Sequence, residues 1–395
     1  MADELTYAER RAGTRSPELE LLFYCAGGDA ADAGSIGERV QRNLDWDALA
    51  DAAEFHGLTP ILCSTVDRDR SALVPENVAR RLRNCYRESA KRSLFFTANL
   101  LALLEAFEAG GIAVVPLKGP ALAESLYPDP TLRPFSDLDI LVRKQDVPAV
   151  LQLLTREGYC LGPHLARISL HALLGLRVEL LLSHAQMAPV DIQWETSPAD
   201  YPFRFDVQIL WSSLKHSRIA GREVPSLSPE SLMLFLCMHG AKHMWSRLQW
   251  LGDVARLIRS QLDWARAMEL AAEAGCERPV LLGLLLSSEL LKASVPEAIL
   301  ERARGVHAVR QAAQQVAQRL NRIQPAEPGI VELTTFNARL AEGSWKKVRH
   351  YAALLKAPTD VELELLPLPE KLFFLYYPVR GAWLVWKYGL RLARG

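Results

Sequence analysis

The apolar residues of this chain change their spacing twice, and each change marks a different kind of structure. Up to residue 111 they recur with helical period. Ser16-Pro17-Glu18 offers a cap followed by proline at the first helical position and leads into LELLFYCA. Asp45 caps WDALADAAEFH, which Gly57 closes. From Pro75 one long run, ENVARRLRNCYRESAKRSLFFTANLLALLEAFEA, keeps helical spacing until Gly110-Gly111 stops it. Short β-branched and apolar runs then take over. IAVVPL (112–117), SDLDILV (136–142), RVELLL (177–182) and APVDIQWE (188–195) read as strands. Between them lie a turn into a helix at Gly119-Pro120 and a helix over 146–158 that Gly158 ends. From Ser228-Pro229-Glu230 the helical period returns, through LMLFLCMHGAKHMW, LGDVARLIRS, LDWARAMELAAEAG and PVLLGLLLSSELL. A polar break at 324–329 precedes the last helices, and no internal repeat is visible.

This order predicts an α+β fold: a small mixed-sheet core over 99–212 between an N-terminal helical region, 1–98, and a C-terminal helical domain, 213–395. At 395 residues, 49% of them hydrophobic, the chain has enough length for two or three structural units. Lys plus Arg and Asp plus Glu are both 46, so there is no basic excess of the kind that tracks nucleic acid, and sequence-specific nucleic-acid binding is not expected. The six cysteines stand singly with no CxxC pair, which argues against a zinc site and a disulfide framework. MADELTYAERRAGTRS has no apolar core, and no stretch before residue 370 would span a bilayer, so a reducing, cytoplasmic setting is expected. The segment 371–395 is aromatic and basic, but Pro378, Gly381, Arg380 and Lys387 interrupt it. Two readings stay open for it: a terminal helix packed on the protein's own helical domain, or a face for a membrane surface or protein partner, which would make the protein peripherally membrane-bound.

The chemistry concentrates at LKG (117–119) and RPFSDLDILV (133–142). Residues i and i+2 of a strand share a face, so Asp137 and Asp139 present two carboxylates together while Leu138 and Ile140 enter the core. Two hard oxygen ligands suit Mg²⁺, which leaves its other positions to water and phosphate. Asp191, in PVDIQWE, supplies a third carboxylate if its strand lies beside the first. Three carboxylates are enough for two metal ions, the arrangement used for in-line nucleotidyl transfer. A lone DxD is usually a turn or an exposed edge. Here the upstream glycine turn, Arg133 and Ser136 just before the acids, and the later strand aspartate favour a site.

LKGPALAESLY, RPFSDLDILV and PVDIQWE, in that order, resemble the pattern of polymerase β-like nucleotidyltransferases. More narrowly, they resemble the bacterial family of uncharacterised nucleotidyltransferases, and FHGLTPIL (55–62) and HGAKHMWSRLQWLGDVARL (239–257) extend the likeness over about residues 45 to 300. The resemblance implies a polymerase β-like core and transfer of a nucleoside monophosphate from an NTP, ATP foremost, to an acceptor that is unidentified: a protein or peptide, an RNA end or a small molecule. It implies Mg²⁺ or Mn²⁺, two ions, on Asp137, Asp139 and Asp191. It also implies nucleotide contacts at Lys118 and Gly119, where backbone amides meet the triphosphate. Two positions depart from the pattern. Pro120 stands where the superfamily has serine, which removes a phosphate contact, and Gln193 stands where the narrower family has histidine, which removes a substrate or supporting contact.

Further nucleotide contacts are expected from Arg133 and Ser136 and, on a later helix, from Lys242 and His243, with Arg247 nearby and Asp253 orienting the cationic group. His239 and His243 share a helix face, but Gly240 replaces the Glu of HExxH and no zinc is expected. Two other functions fit the acids less well. A DxD glycosyltransferase carries its acids after an apolar strand, whereas here the apolar run follows them. A non-catalytic nucleotide-binding or adaptor protein of a biosynthetic or toxin–antitoxin system would have no need of intact carboxylates.

Overall fold

The computed structural model describes residues 15–28, 44–68, 74–198, 201–260, 262–324, 326–356, 360–366 and 368–384. The first two helices begin at their expected caps. The Ser16 hydroxyl accepts from the Leu19 N–H at the head of α1 (Pro17–Gly27), and Asp45 accepts from the Ala48 N–H at the head of α2 (Trp46–Phe55). After α3 (Thr59–Arg68) comes the 34-residue α4 (Glu76–Ala109), which ends where Gly110 and Gly111 turn the chain. Gly111 takes φ 66°, a left-handed conformation that suits glycine.

Five strands follow: β1 (Val114–Pro116), β2 (Leu138–Val142), β3 (Cys160–Leu161), β4 (Glu179–Ser183) and β5 (Val190–Gln193). Their spatial order is β1-β2-β5-β4-β3, with β2 and β5 parallel and the other neighbours antiparallel, so the sheet is mixed. The intervening helices are α5 (Gly119–Leu126), α6 (Val147–Arg156) and α7 (Leu170–Leu176). Period-2 alternation divides the sheet's residues between two cores. Leu138, Ile140 and Val142, with Val190 and Ile192, pack with Phe96, Leu100 and Phe107 of α4 and Val150 and Leu154 of α6. The opposite face sends Val115 and Leu141 into a second core. This α+β arrangement puts the acidic face of the sheet toward the helical body.

The helical body is built from both ends of the chain. One core runs from Leu19 to Leu340 and takes in α1 to α3 together with α8 (Gln208–Trp211), α9 (Pro229–Lys242), α10 (Leu248–Ile258), α11 (Trp264–Glu273) and α12 (Glu277–Leu291). Residue 98, the expected edge of the core region, lies within α4. A hairpin of β6 (Leu214–Ile219) and β7 (Arg222–Leu227) was not expected from the sequence. Its turn places Ala220 at φ 47° and Gly221 at φ 83°, the geometry Asn-Gly normally signals. The four polar residues inside LKHSRI also hide its alternation.

The described part of the C-terminal segment packs on the protein. Tyr376 is buried in the sheet-side core, its hydroxyl donating to the Leu366 carbonyl at 2.6 Å. Arg380 and Glu362 form a buried ion pair. Residues 385–395 lie outside the described residues. No helix among the described residues is long and apolar enough to cross a membrane.

Candidate active site

The three aspartates come together because β2 and β5 are parallel neighbours. Asp139 and Asp191 are register partners, each the second residue of its strand. Asp137 sits in the bend just before β2, slightly outside the strand expected over 136–142. Gln193 binds both acids: its Nε2 donates to Asp139 Oδ1 and to Asp191 Oδ2, each at 3.1 Å. Gln193 therefore supplies a supporting contact of its own to both acids, at the position where the family pattern has histidine. Lys118 Nζ lies 2.8 Å from Asp139 Oδ1, and Asp191 Oδ1 is buried with no partner.

Negative charge is only partly compensated here. Burial, then Glu179 and Asp139, push the Asp191 carboxyl up to about 7. Burial and the neighbouring Asp139 also raise Asp137. Burial opposes the charge of Lys118, but Asp139 and Asp137 outweigh it and hold the ammonium above its ordinary value. Glu179, on β4, brings a fourth carboxylate whose near cation is Lys242, 3.9 Å away. The sequence reading missed Glu179. The signal was its strand alternation, in which Glu179 and Leu181 leave the core while Leu180 and Leu182 enter it.

Gly119 stands where α5 begins, at φ 60°, and a Cβ there would lie 3.3 Å from the Asp137 carbonyl. The Leu117 N–H donates to the Asp139 carbonyl at 3.0 Å, so the glycine turn is tied to the strand that carries the acids. Several other expected contacts are placed differently. Arg133 is buried and gives Nε and Nη2 to the two oxygens of Asp253, at 3.0 and 2.9 Å, so its guanidinium is engaged in a structural link. Asp253 also accepts from the Tyr127 hydroxyl at 2.7 Å; it orients Arg133 and not the Lys242 cluster. Arg247 is occupied by Glu327 at 2.6 Å and by the Phe55 carbonyl at 2.7 Å. Ser136 is exposed and reaches only Asp137, at 3.4 Å.

The acidic face looks across a cleft of about 150 Å³ to α9, which contributes Phe235, Met238, His239, Lys242 and His243. Lys118, the three aspartates, Glu179 and Gln193 form the near wall. The rings of His239 and His243 are 4.8 Å apart and both pack on Trp250. Burial, with help from the adjacent Lys242, lowers His243 to about 3; burial also keeps His239 far below its ordinary value. Both imidazoles are therefore neutral hydrogen-bonding groups at physiological pH.

Among the described residues, no three carboxylates, thiols or imidazoles form a ready-made metal cage. Mg²⁺ does not need one, because it usually binds through one or two carboxylates and completes its shell with water and substrate phosphate. The all-oxygen donor set, the unpartnered Asp191 Oδ1 and the excess of negative charge fit such a cation.

The model of a family described as "Uncharacterised nucleotidyltransferase" matches residues 42–292. The chain belongs to the uncharacterised nucleotidyltransferase family. In this family member the matched region spans the sheet, the acids and the α9 wall of the cleft, with the helices α2 to α4 before them and α10 to α12 after. An antigenic nucleotidyltransferase-like protein from Paracoccidioides brasiliensis is similar at 16% identity and a TM-score of 0.32, over 52% of this chain and 97% of that one. That likeness is too loose to carry a structural argument. No curated protein matches the chain.

Proposed function

We propose that this chain is a divalent-metal-dependent enzyme that transfers a nucleoside monophosphate from an NTP, ATP foremost, to a hydroxyl-bearing acceptor and releases pyrophosphate. The observation that carries the proposal is the side-by-side placement of Asp139 and Asp191 on parallel strands, with Asp137 at the strand entry and a glycine turn alongside. Asp137, Asp139 and Asp191 would hold Mg²⁺ or Mn²⁺, two ions in all, which neutralise the departing pyrophosphate and acidify the acceptor hydroxyl when bound.

The chain's own residues divide the remaining work. Lys118, already in the cleft beside Asp139, takes the triphosphate's negative charge, and the Gly119 turn lets backbone amides come close to it. Lys242 and the neutral His243 approach from the opposite wall. The acceptor oxygen attacks the α-phosphorus, the bond from that phosphorus to the bridging oxygen breaks, and pyrophosphate leaves with the electron pair. The acceptor's proton passes toward Asp191. The helical wall, including Phe235 and Met238, shapes the acceptor side of the cleft.

Incubation with each α-labelled NTP, Mg²⁺ or Mn²⁺ and a lysate of the native host tests the proposal. Label should pass to a discrete acceptor, and EDTA or Asp139→Asn should abolish the transfer. Metal-dependent NTP binding with no transfer of the α-label from any nucleotide would replace this reading with a nucleotide-binding adaptor.

A further inference from the structure

Gln193 is 8% exposed, an unusual position for a glutamine unless its amide is used. It lies on β5 two residues beyond Asp191 and therefore on the same face, with Leu141 as its register partner on β2. That places its side chain diagonal to Asp139, within reach of both strands. One amide nitrogen carries two hydrogens, and here it serves one oxygen of each carboxylate. The opposite amide orientation would set a carbonyl oxygen against two carboxylates, so the charges fix the assignment.

The hydrogen bonds divide the carboxylate oxygens into two sets. Asp139 Oδ1 is held by both Lys118 and Gln193, and Asp191 Oδ2 is held by Gln193. Among the described residues, Asp139 Oδ2 and Asp191 Oδ1 make no hydrogen bond, and the latter is buried. We propose that Gln193 is a positioning residue that clips Asp139 and Asp191 together and leaves one oxygen of each free for the metal. The inference rests on the metal-dependent reading above and assigns a role to a residue that does not itself coordinate. A neutral histidine at 193 would carry a single N–H, on one of its two ring nitrogens, so it could hold one acid but not both.

The test compares ATP affinity with Mn²⁺ and with EDTA, by calorimetry on the full chain. Gln193→Met keeps length and burial but removes the donor, and Gln193→His restores one donor. In the wild type, Mn²⁺ should strengthen ATP binding, and Asp139→Asn should remove that gain. In Gln193→Met the gain should fall about ten- to a hundredfold, as is usual when a partner of a metal ligand is removed, while metal-free ATP affinity stays the same. Gln193→His should fall between the two. A full metal gain in Gln193→Met overturns the proposal, as does a parallel loss of metal-free affinity, which assigns the residue to packing. If the Met variant does not fold, a wild-type metal gain in Gln193→His overturns it. A wild type with no metal gain refutes the metal reading itself, a separate result.

Discussion

Asp191 has one oxygen held by Gln193 and the other buried without a partner, so its charge is poorly compensated in the absence of a cation. Its carboxyl moves from the ordinary 3.8 to about 7 on folding. A native pKa raised above the unfolded one gives stability that is complete below about pH 4 and is lost as pH rises through 7. The shift corresponds to roughly 4 kcal/mol at most. Metal-free Asp191→Asn should therefore gain melting temperature relative to wild type as pH climbs from 4 to 8, and Mn²⁺ should reverse the difference at pH 8. A difference that stays flat over that range would mean the carboxylate is compensated after all. The same variant should lose on the order of a hundredfold in transfer rate, a larger loss than its loss in Mg²⁺·NTP affinity, because Asp191 serves the acceptor more than the triphosphate. Gly119→Val makes a complementary test at the other end of the cleft. A β-branched residue is strained at φ 60° and crowds the Asp137 carbonyl, so triphosphate binding should weaken more than monophosphate binding. Equal losses for both ligands would point to misfolding. At this scale the sequence showed the acids, because i and i+2 in a strand share a face. It could not show what Arg133 or Gln193 touches, since those partners come from α10 and from the β2–β5 pairing.

Among the elements, the link from the loop before β2 to α10 locates the acids relative to the helical body. Arg133 and Asp253 meet in a two-pronged ion pair with side chains 5% and 1% exposed, joined by the Tyr127 hydroxyl. Removing one partner leaves the other buried and uncompensated, which costs about 3–5 kcal/mol. Asp253→Leu and Arg133→Met should each lower stability by that order in urea titrations. The double variant should lose less than the sum, because it leaves no stranded charge. Additive losses would show that the two residues act independently. Helix ends, marked by Ser16, Asp45, Gly110 and Ser228, were legible because caps are local chemistry. The β6–β7 hairpin was not, since its Ala-Gly turn and polar strand centre carry neither of the usual signals.

For the whole molecule, helices from both ends of the chain share one core, a long-range arrangement that no local period encodes. The C-terminal segment is a second case of such long-range packing. Its described part places Tyr376 in the sheet-side core, with the hydroxyl donating to the Leu366 carbonyl, and pairs Arg380 with Glu362 out of water. Leu372 and Phe374 nevertheless remain exposed, at 38% and 58%, so part of the segment's apolar surface is not covered by the described residues. Truncation after Pro369 should remove a buried aromatic and the Arg380 half of a buried ion pair, a loss of several kcal/mol in all. The shortened chain should melt well below the full-length protein and expose apolar surface from the sheet-side core, seen as increased dye binding at moderate temperature. A surface segment used only for a membrane or a partner behaves differently: its removal leaves the melting temperature unchanged and abolishes co-sedimentation with anionic vesicles. Melting curves and vesicle sedimentation of the same two proteins therefore separate the roles. A truncated chain with full-length stability would show that the Tyr376 and Arg380 contacts add little to the fold.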